Sequence, residues 1–291
     1  MPSNHVMFTI NNTKWNTDVV WKEFEPQAFY VLEKKVAQYE LICSSIHKTM
    51  SLNQTDLLLL VIAHPDDECM FFFPTLQHFV KDSKSEIFIL CLSNGNYDGL
   101  GIVREKELKA AGKLLGVIES NIHVAHVSEL QDHPCRLWDP KIVSDVVFYY
   151  LQSLLVRGNT PSPKQVSLIT FDSWGVSGHF NHISTFLGVK SLMSVIKPKL
   201  LPHKVDGYTL VSFSNFFRKY IPIIFMLEIL FAMIVNDPRT FRYHAIDLQL
   251  AWRCLAAHES QFVWYRKLSI IFSRYTYTNT LLPITNNNKY D

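Results

Sequence analysis

The sequence carries no excess of one charge: 28 Lys and Arg stand against 26 Asp and Glu, a formal net charge of +2. With no basic stripe and no block of like charge, this balance excludes the wrapping of nucleic acid and a strongly acidic partner. Cysteine is scarce. Cys43, Cys69, Cys91, Cys135 and Cys254 are odd in number, scattered and without a CxxC pair, which fits reduced thiols in, or facing, the cytosol. No apolar run reaches the ~20 residues that a spanning helix needs. The most apolar, Ile221–Val235, has 15 residues and contains Pro222 and Glu228. The opening MPSNHVMFTINNTKW lacks the charged-then-apolar order and small-residue cleavage site of a signal peptide, so none is expected. The glycosylation-type triplets at Asn11 and Asn53 therefore carry no weight. Internal repeats and low-complexity tracts are absent as well.

What is present is a well-filled globular composition. Of 291 residues, 48% are hydrophobic and 19% charged, enough for one large domain or two small ones. Residues 1–50 read as a helical segment, clearest over Phe29–Ser45. From residue 51 the pattern changes, and 51–291 reads as a single domain. Apolar, β-branched runs recur at Leu57–Ala63, Ile87–Leu92, Ile122–Val127, Val166–Phe171 and, more weakly, Gly207–Phe213. Helix-like segments lie between them at Asp67–Lys81, Val103–Leu115, Lys141–Arg157 and Phe180–Ile196, with Gly116 placed to cap the second. Near-continuous apolar strands alternating with helices predict an α/β fold, a Rossmann-like and mostly parallel sheet flanked by helices. Residues 215–280 leave the alternation and read as an aromatic, basic, helical C-terminal extension. In such sheets ligands bind beyond the carboxyl ends of the strands. There the loops His64–Glu68, Ser93–Gly101, Ser128–Asp139 and Asp172–His182 should share one rim.

Two of those loops carry the chemistry. In LLLLVIAHPDDECMFF (57–72) a buried strand ends in the most hydrophilic cluster of the chain. An imidazole (His64) and a carboxylate (Asp67) three residues on can reach one point, a donor pair suited to Zn²⁺ or another divalent ion. The competing use is helix capping by Asp66 or Asp67, with Glu68 complementing the dipole. In GHFNH (178–182) a second His pair, His179 and His182, shares one helix face. His64, Asp67 and one of these two would make a three-ligand site with a position left for water.

AHPDDE after an apolar strand, REKEL (104–108), FD (171–172) and GVSGHFNH (175–182) resemble the LmbE-like zinc de-N-acetylase superfamily. Within it, SNGNYDGLGIVREKEL, TFDSWGVSGHFNH, RKY (218–220) and WYRKLSIIFSRY (264–275) resemble the N-acetylglucosaminyl-phosphatidylinositol de-N-acetylases, the PIG-L family. The resemblance covers about residues 56–280. It implies a zinc-dependent hydrolase that removes the N-acetyl group of N-acetylglucosaminyl-phosphatidylinositol, the second step of GPI-anchor biosynthesis. It also implies the roles. His64, Asp67 and His182 would bind the metal, Asp66 would act as general base on the attacking water, and His179 would stabilise the oxyanion. Arg104 and Asp132 would bind substrate. By themselves, Arg104 reads rather as a solvated partner of Glu107 or Glu105, and Asp132 as a turn former. Asn94 and Asn96 read as turn residues, and Asp172 as either a support for the histidines or a loop cap. Some bacterial relatives carry an assisting tyrosine where this sequence has Ser177.

A glycolipid substrate implies a membrane surface as partner and the cytoplasmic face of the endoplasmic reticulum membrane as location. The aromatic–basic stretches at 216–220 and 264–272 are candidates for contact with it. Two other functions are open at this level: the same chemistry on a soluble N-acetyl sugar, or a non-catalytic scaffold subunit with a vestigial site.

Overall fold

The computed structural model describes residues 7–10, 13–16, 52, 55–82, 84–157, 164–196, 200, 202–221, 224, 227–228, 240–245 and 247–285. Within residues 1–50 these are two short strands, β1 (Met7–Ile10) and β2 (Thr13–Asn16), paired antiparallel. The helix expected over 29–45 lies outside the described residues. So does most of the apolar run 221–235.

The body is a seven-stranded sheet. Leu57–Ile62 (β3) is buried at all six positions, as a strand covered on both faces must be. It pairs in parallel with β4 (Glu86–Cys91) on one side and β6 (Gln165–Phe171) on the other. β5 (Ile122–Val124) extends the first side, and β7 (Lys204–Leu210) the second. Two antiparallel strands, β8 (Phe241–His244) and β9 (Thr278–Pro283), complete the order β5-β4-β3-β6-β7-β9-β8. The chain thus runs outward from β3 through β4 and β5, then returns to β3's other side as β6. That reversal opens a crevice above the carboxyl ends of β3 and β6, where open α/β sheets bind their ligands.

Ten α-helices are bounded among the described residues. They are α1 (Asp67–Met70), α2 (Phe73–Asp82), α3 (Gly101–Leu115), α4 (Pro140–Arg157), α5 (Gly175–Gly178), α6 (Phe180–Val195), α7 (Phe216–Tyr220), α8 (Leu248–Ala256), α9 (Trp264–Phe272) and α10 (Arg274–Tyr277). α4 packs on α6, α3 on α8, and α2 against β8 and β9. Gly116 closes α3 at φ 98, its N–H bonded to Gly112 and Lys113 carbonyls, as its position predicted.

Three expectations shift. The helix expected over 67–81 is broken in two, because Pro74 has no N–H to continue the ladder and instead sits in the first turn of α2. The strand expected at 207–213 is β7, three residues earlier, since its register is set by pairing Gln165 with Lys204 rather than by its most apolar stretch. The C-terminal region is not purely helical: β8 and β9 join the sheet. Each is only four to six residues long, too short for period-2 alternation to stand out, and pairs across long loops.

Candidate metal centre and active site

At the end of β3 the chain turns back so that Asp67 Oδ2 accepts the N–H groups of Ala63 (3.1 Å) and His64 (2.8 Å). This anchors a carboxylate at the mouth of the crevice. Its Oδ1 lies 3.2 Å from His182 Nε2 and its Oδ2 3.9 Å from His64 Nδ1. Burial alone would raise the Asp67 pKa. The two imidazoles and the His64 N–H more than offset it and hold the acid well below the ordinary carboxylate range.

Each imidazole is fixed from its far side. His182 Nδ1 donates to the Gly175 carbonyl (2.9 Å), and its ring stacks on Phe171 at 4.2 Å. That leaves Nε2 turned to Asp67. His64 Nε2 lies 3.1 Å from Asp132 Oδ1 and 3.0 Å from the Asn181 amide oxygen, while the Asn181 nitrogen donates to the Arg136 and His133 carbonyls. That leaves Nδ1 turned to Asp67. An imidazole whose outer N–H is bound by a carbonyl or carboxylate and whose inner lone pair is free is the usual metal-ligating arrangement.

The donor set fits a divalent cation. Ligands on a tetrahedral ion with bonds of about 2.0–2.1 Å stand roughly 3.3 Å apart; Asp67 Oδ1 stands 3.2 Å from His182 Nε2, while His64 Nδ1 lies 3.9 Å from the other oxygen, Oδ2. Burial pushes the His182 pKa down, but Asp67 and the Gly175 carbonyl raise it overall. The field that favours a proton at Nε2 also favours a metal ion in its place. His179 completes a cluster of three imidazoles whose ligand atoms lie within 4.8 Å of one another. It differs from the other two in that it caps α6 and its Nδ1 accepts the Asn181 backbone N–H (3.2 Å). Its proton is therefore on Nε2. Burial first, then the neighbouring imidazoles, push its pKa down to about 4, so it is a neutral N–H donor near neutral pH.

Asp66 occupies the N-cap position of α1 at φ 101 but makes no side-chain capping bond, so the capping use does not hold. Its Oδ2 instead accepts Arg104 Nη2 (3.3 Å) and Arg266 Nη1. No described residue donates to Oδ1. Arg104 is buried. It donates to the carbonyls of Gly95 (2.9 Å) and Pro65 (2.8 Å) and lies 3.7 Å from Asp132 Oδ2.

The model of the family described as GlcNAc-PI de-N-acetylase matches residues 59–193. A protein of Dictyostelium discoideum named "Probable N-acetylglucosaminyl-phosphatidylinositol de-N-acetylase" is 35% identical over 253 residues, 78% of this chain and 93% of that one. One of Schizosaccharomyces pombe with the same name is 37% identical over 78% of this chain and 87% of its own length. The N-acetylglucosaminyl-phosphatidylinositol de-N-acetylase of Bos taurus is 34% identical over 77% and 81%. The chain belongs to the PIG-L family.

Against the residues that the PIG-L resemblance singled out, the structure brings His64, Asp67, His179 and His182 to one point, with Asp66, Arg104 and Asp132 around them. Arg104 does not pair with Glu105 or Glu107: Glu105 accepts from Asn94 (2.9 Å), and Glu107 takes the Ser260 N–H and hydroxyl (both 2.7 Å). Asp132 gives one oxygen to His64 and turns the other toward Arg104. Burial would raise its pKa, but His64 and Arg104 hold it below the ordinary carboxylate value. Asn96 is a turn residue, its side chain accepting the Gly101 N–H (2.8 Å). Asp172 braces its loop by accepting from Trp174 N, Ser212 N and Ser212 Oγ and does not reach either histidine.

Four residues to which the motifs assign no part belong to the site: Asn181, Glu68, His258 and Arg266. Asn181 lies between the two histidines of its own motif and locks His64. Glu68 and His258 form a fully buried pair at 2.6 Å, and Glu68 also accepts the Asp66 N–H (3.0 Å) and the Cys69 thiol (3.1 Å). Arg266 arrives from 200 residues away. No spacing rule could have tied it to Asp66.

Proposed function

We propose that this PIG-L chain hydrolyses the acetamide of N-acetylglucosaminyl-phosphatidylinositol with the help of a zinc ion, a step of GPI-anchor biosynthesis. One observation carries the chemistry: a buried carboxylate facing two imidazoles whose outer nitrogens are already hydrogen-bonded. The substrate rests on the names of the relatives.

His64, Asp67 and His182 would hold the metal. A divalent ion held there supplies Lewis acidity, polarising the acetamide carbonyl and easing deprotonation of the attacking water. Asp66 takes that proton on Oδ1, the oxygen left open, and returns it to the departing amine. Arg104 fixes Asp66 through Oδ2 and buttresses Asp132. Asp132 and Asn181 hold the His64 tautomer. His179, neutral and protonated on Nε2, donates to the oxyanion as the carbonyl becomes tetrahedral. Binding of sugar hydroxyls by Arg104 and Asp132 belongs to the same reading, through the donors and the oxygen not already taken.

A membrane surface at the cytoplasmic face of the endoplasmic reticulum completes the proposal. Phe216 and Phe217 on α7 and Trp264 and Tyr265 on α9 are exposed, beside the half-buried Lys267, and the two helices pack together. Aromatic and basic residues of this kind favour headgroup depth. No helix among the described residues is long and apolar enough to cross a membrane. Sedimentation with vesicles of the wild type and of a Phe217→Ser, Trp264→Ser double variant checks this part.

The chemistry is tested by zinc content and by deacetylation of the glycolipid with and without chelator. Asp66→Asn should retain zinc and lose turnover by about 10²- to 10⁴-fold, whereas His182→Ala should lose both. Equal activity in all three proteins would refute the roles. Turnover of a soluble N-acetyl sugar with none of the glycolipid would refute the substrate.

A further inference from the structure

The two guanidiniums on Asp66 are not equivalent. Arg104 spends both Nη groups on the Gly95 and Pro65 carbonyls and on two aspartates, and it is packed against Gly95 so closely that a Cβ there would stand 2.2 Å from Nη1. It cannot re-aim. Arg266 makes one ion pair among the described residues, through Nη1 to Asp66, and nothing described accepts from its Nε or Nη2. Its side chain is 18% exposed. It rises from the first turn of α9, directly after the exposed Trp264 and Tyr265. It therefore spans from the buried base to the open rim.

Charge points to what it meets there. Arg104 and Arg266 face Asp66, Asp67 and Asp132, one negative charge in excess. A divalent cation on Asp67 would turn that into one positive charge in excess. A single phosphodiester neutralises it, and the planar guanidinium fork matches two phosphate oxygens.

We infer that Arg266 is the phosphodiester-binding residue of the site, leaving Asp66 for the anion when a ligand with a phosphodiester next to its sugar enters. This rests on the deacetylase reading for the identity of that ligand. It concerns a residue to which neither the motifs nor the relatives' names give a part.

The first test is a KM and kcat comparison on two soluble headgroups: N-acetylglucosaminyl-inositol esterified through phosphate to glycerol, and the same glycoside without phosphate. Arg266→Gln should lose about 10- to 100-fold more in kcat/KM on the first than on the second, the size of a lost charge-assisted pair, whatever loss both share through Asp66. Arg266→Lys should recover part of the loss. Equal losses on both headgroups would overturn the assignment.

The second test needs no turnover. Titration calorimetry with glycerophosphoinositol should show weaker binding to Arg266→Gln and tighter binding to Asp66→Asn, because the neutral amide of that variant no longer competes for the guanidinium. Unchanged affinity in both variants would overturn the inference, as would inorganic phosphate binding as tightly as glycerophosphoinositol. Failure of the wild type to deacetylate either headgroup would sink the deacetylase reading instead, and the calorimetry would still decide the anion site.

Discussion

At His182 the protein must choose between a proton and a metal ion. Asp67 raises its pKa above the ordinary 6.5, so protonation of the metal-facing nitrogen begins at a higher pH than for a free imidazole. A ligand must shed its proton to bind metal. Zinc affinity, measured by competition with a chromophoric chelator from pH 8 to 5.5, should therefore fall as pH falls, by about tenfold per unit once His182 is protonated. The decline should start above 6.5, and a flat profile down to pH 6 would contradict the assignment. His179 should behave differently. It is already neutral, its pKa pushed down to about 4, so His179→Ala should keep its zinc and lose about 10²- to 10³-fold in kcat. These four groups were legible in the sequence because each pair is local: three residues after a strand, or three residues along a helix start, fix geometry by themselves. Asn181 sits inside the second motif and was still missed, since its side chain serves a histidine 117 positions away.

The loop after β4 shows how an element carries function through one glycine. Gly95 has φ +68, and a side chain there would collide with the Arg104 guanidinium. A flexible arginine could swing aside cheaply, but this one is buried and bonded to carbonyls of two loops, Pro65 after β3 and Gly95 after β4. Gly95→Ala should remain folded, at a cost of about 1–3 kcal/mol for the positive φ, and should lose turnover because Arg104 is dislodged. The cycle with Arg104→Ala checks this: if Gly95 acts through Arg104, the double variant is no worse in kcat/KM than Arg104→Ala alone. Additive losses would show that the glycine matters for another reason. The strands and helices of the parallel half were readable because each buries a long periodic face. The edges of the expected fold differ where pairing, not composition, decides: β7 took its register from β6, β9 is a strand because it pairs with β7, and β8 because it pairs with β9.

Taken whole, the molecule closes its site with pieces from its far end. The stretch matched by the family model, 59–193, holds every residue proposed to bind metal, yet it leaves one buried charge, Glu68, without its counter-group. Glu68 is fully buried directly beside Asp66 and Asp67, and its counter-group is His258 on the segment after α8. Burial would lower the His258 pKa, but Glu68 raises it overall, so the pair approaches a buried ion pair. Removing one member of such a pair costs about 3–5 kcal/mol, because the other charge stays behind. That is a large share of a domain's stability of roughly 5–15 kcal/mol. A chain ending at residue 240 would lose His258 and Arg266 together, and would strip β9 from the exposed edge of β7 as well. It should show no cooperative unfolding transition in denaturant and no stoichiometric zinc, whereas His258→Gln in the full chain, which keeps the sheet, should unfold cooperatively at lower denaturant concentration. If the shortened chain instead folded and bound one zinc, the metal centre would be self-contained in the family-wide stretch, and the distant charges would serve the substrate alone.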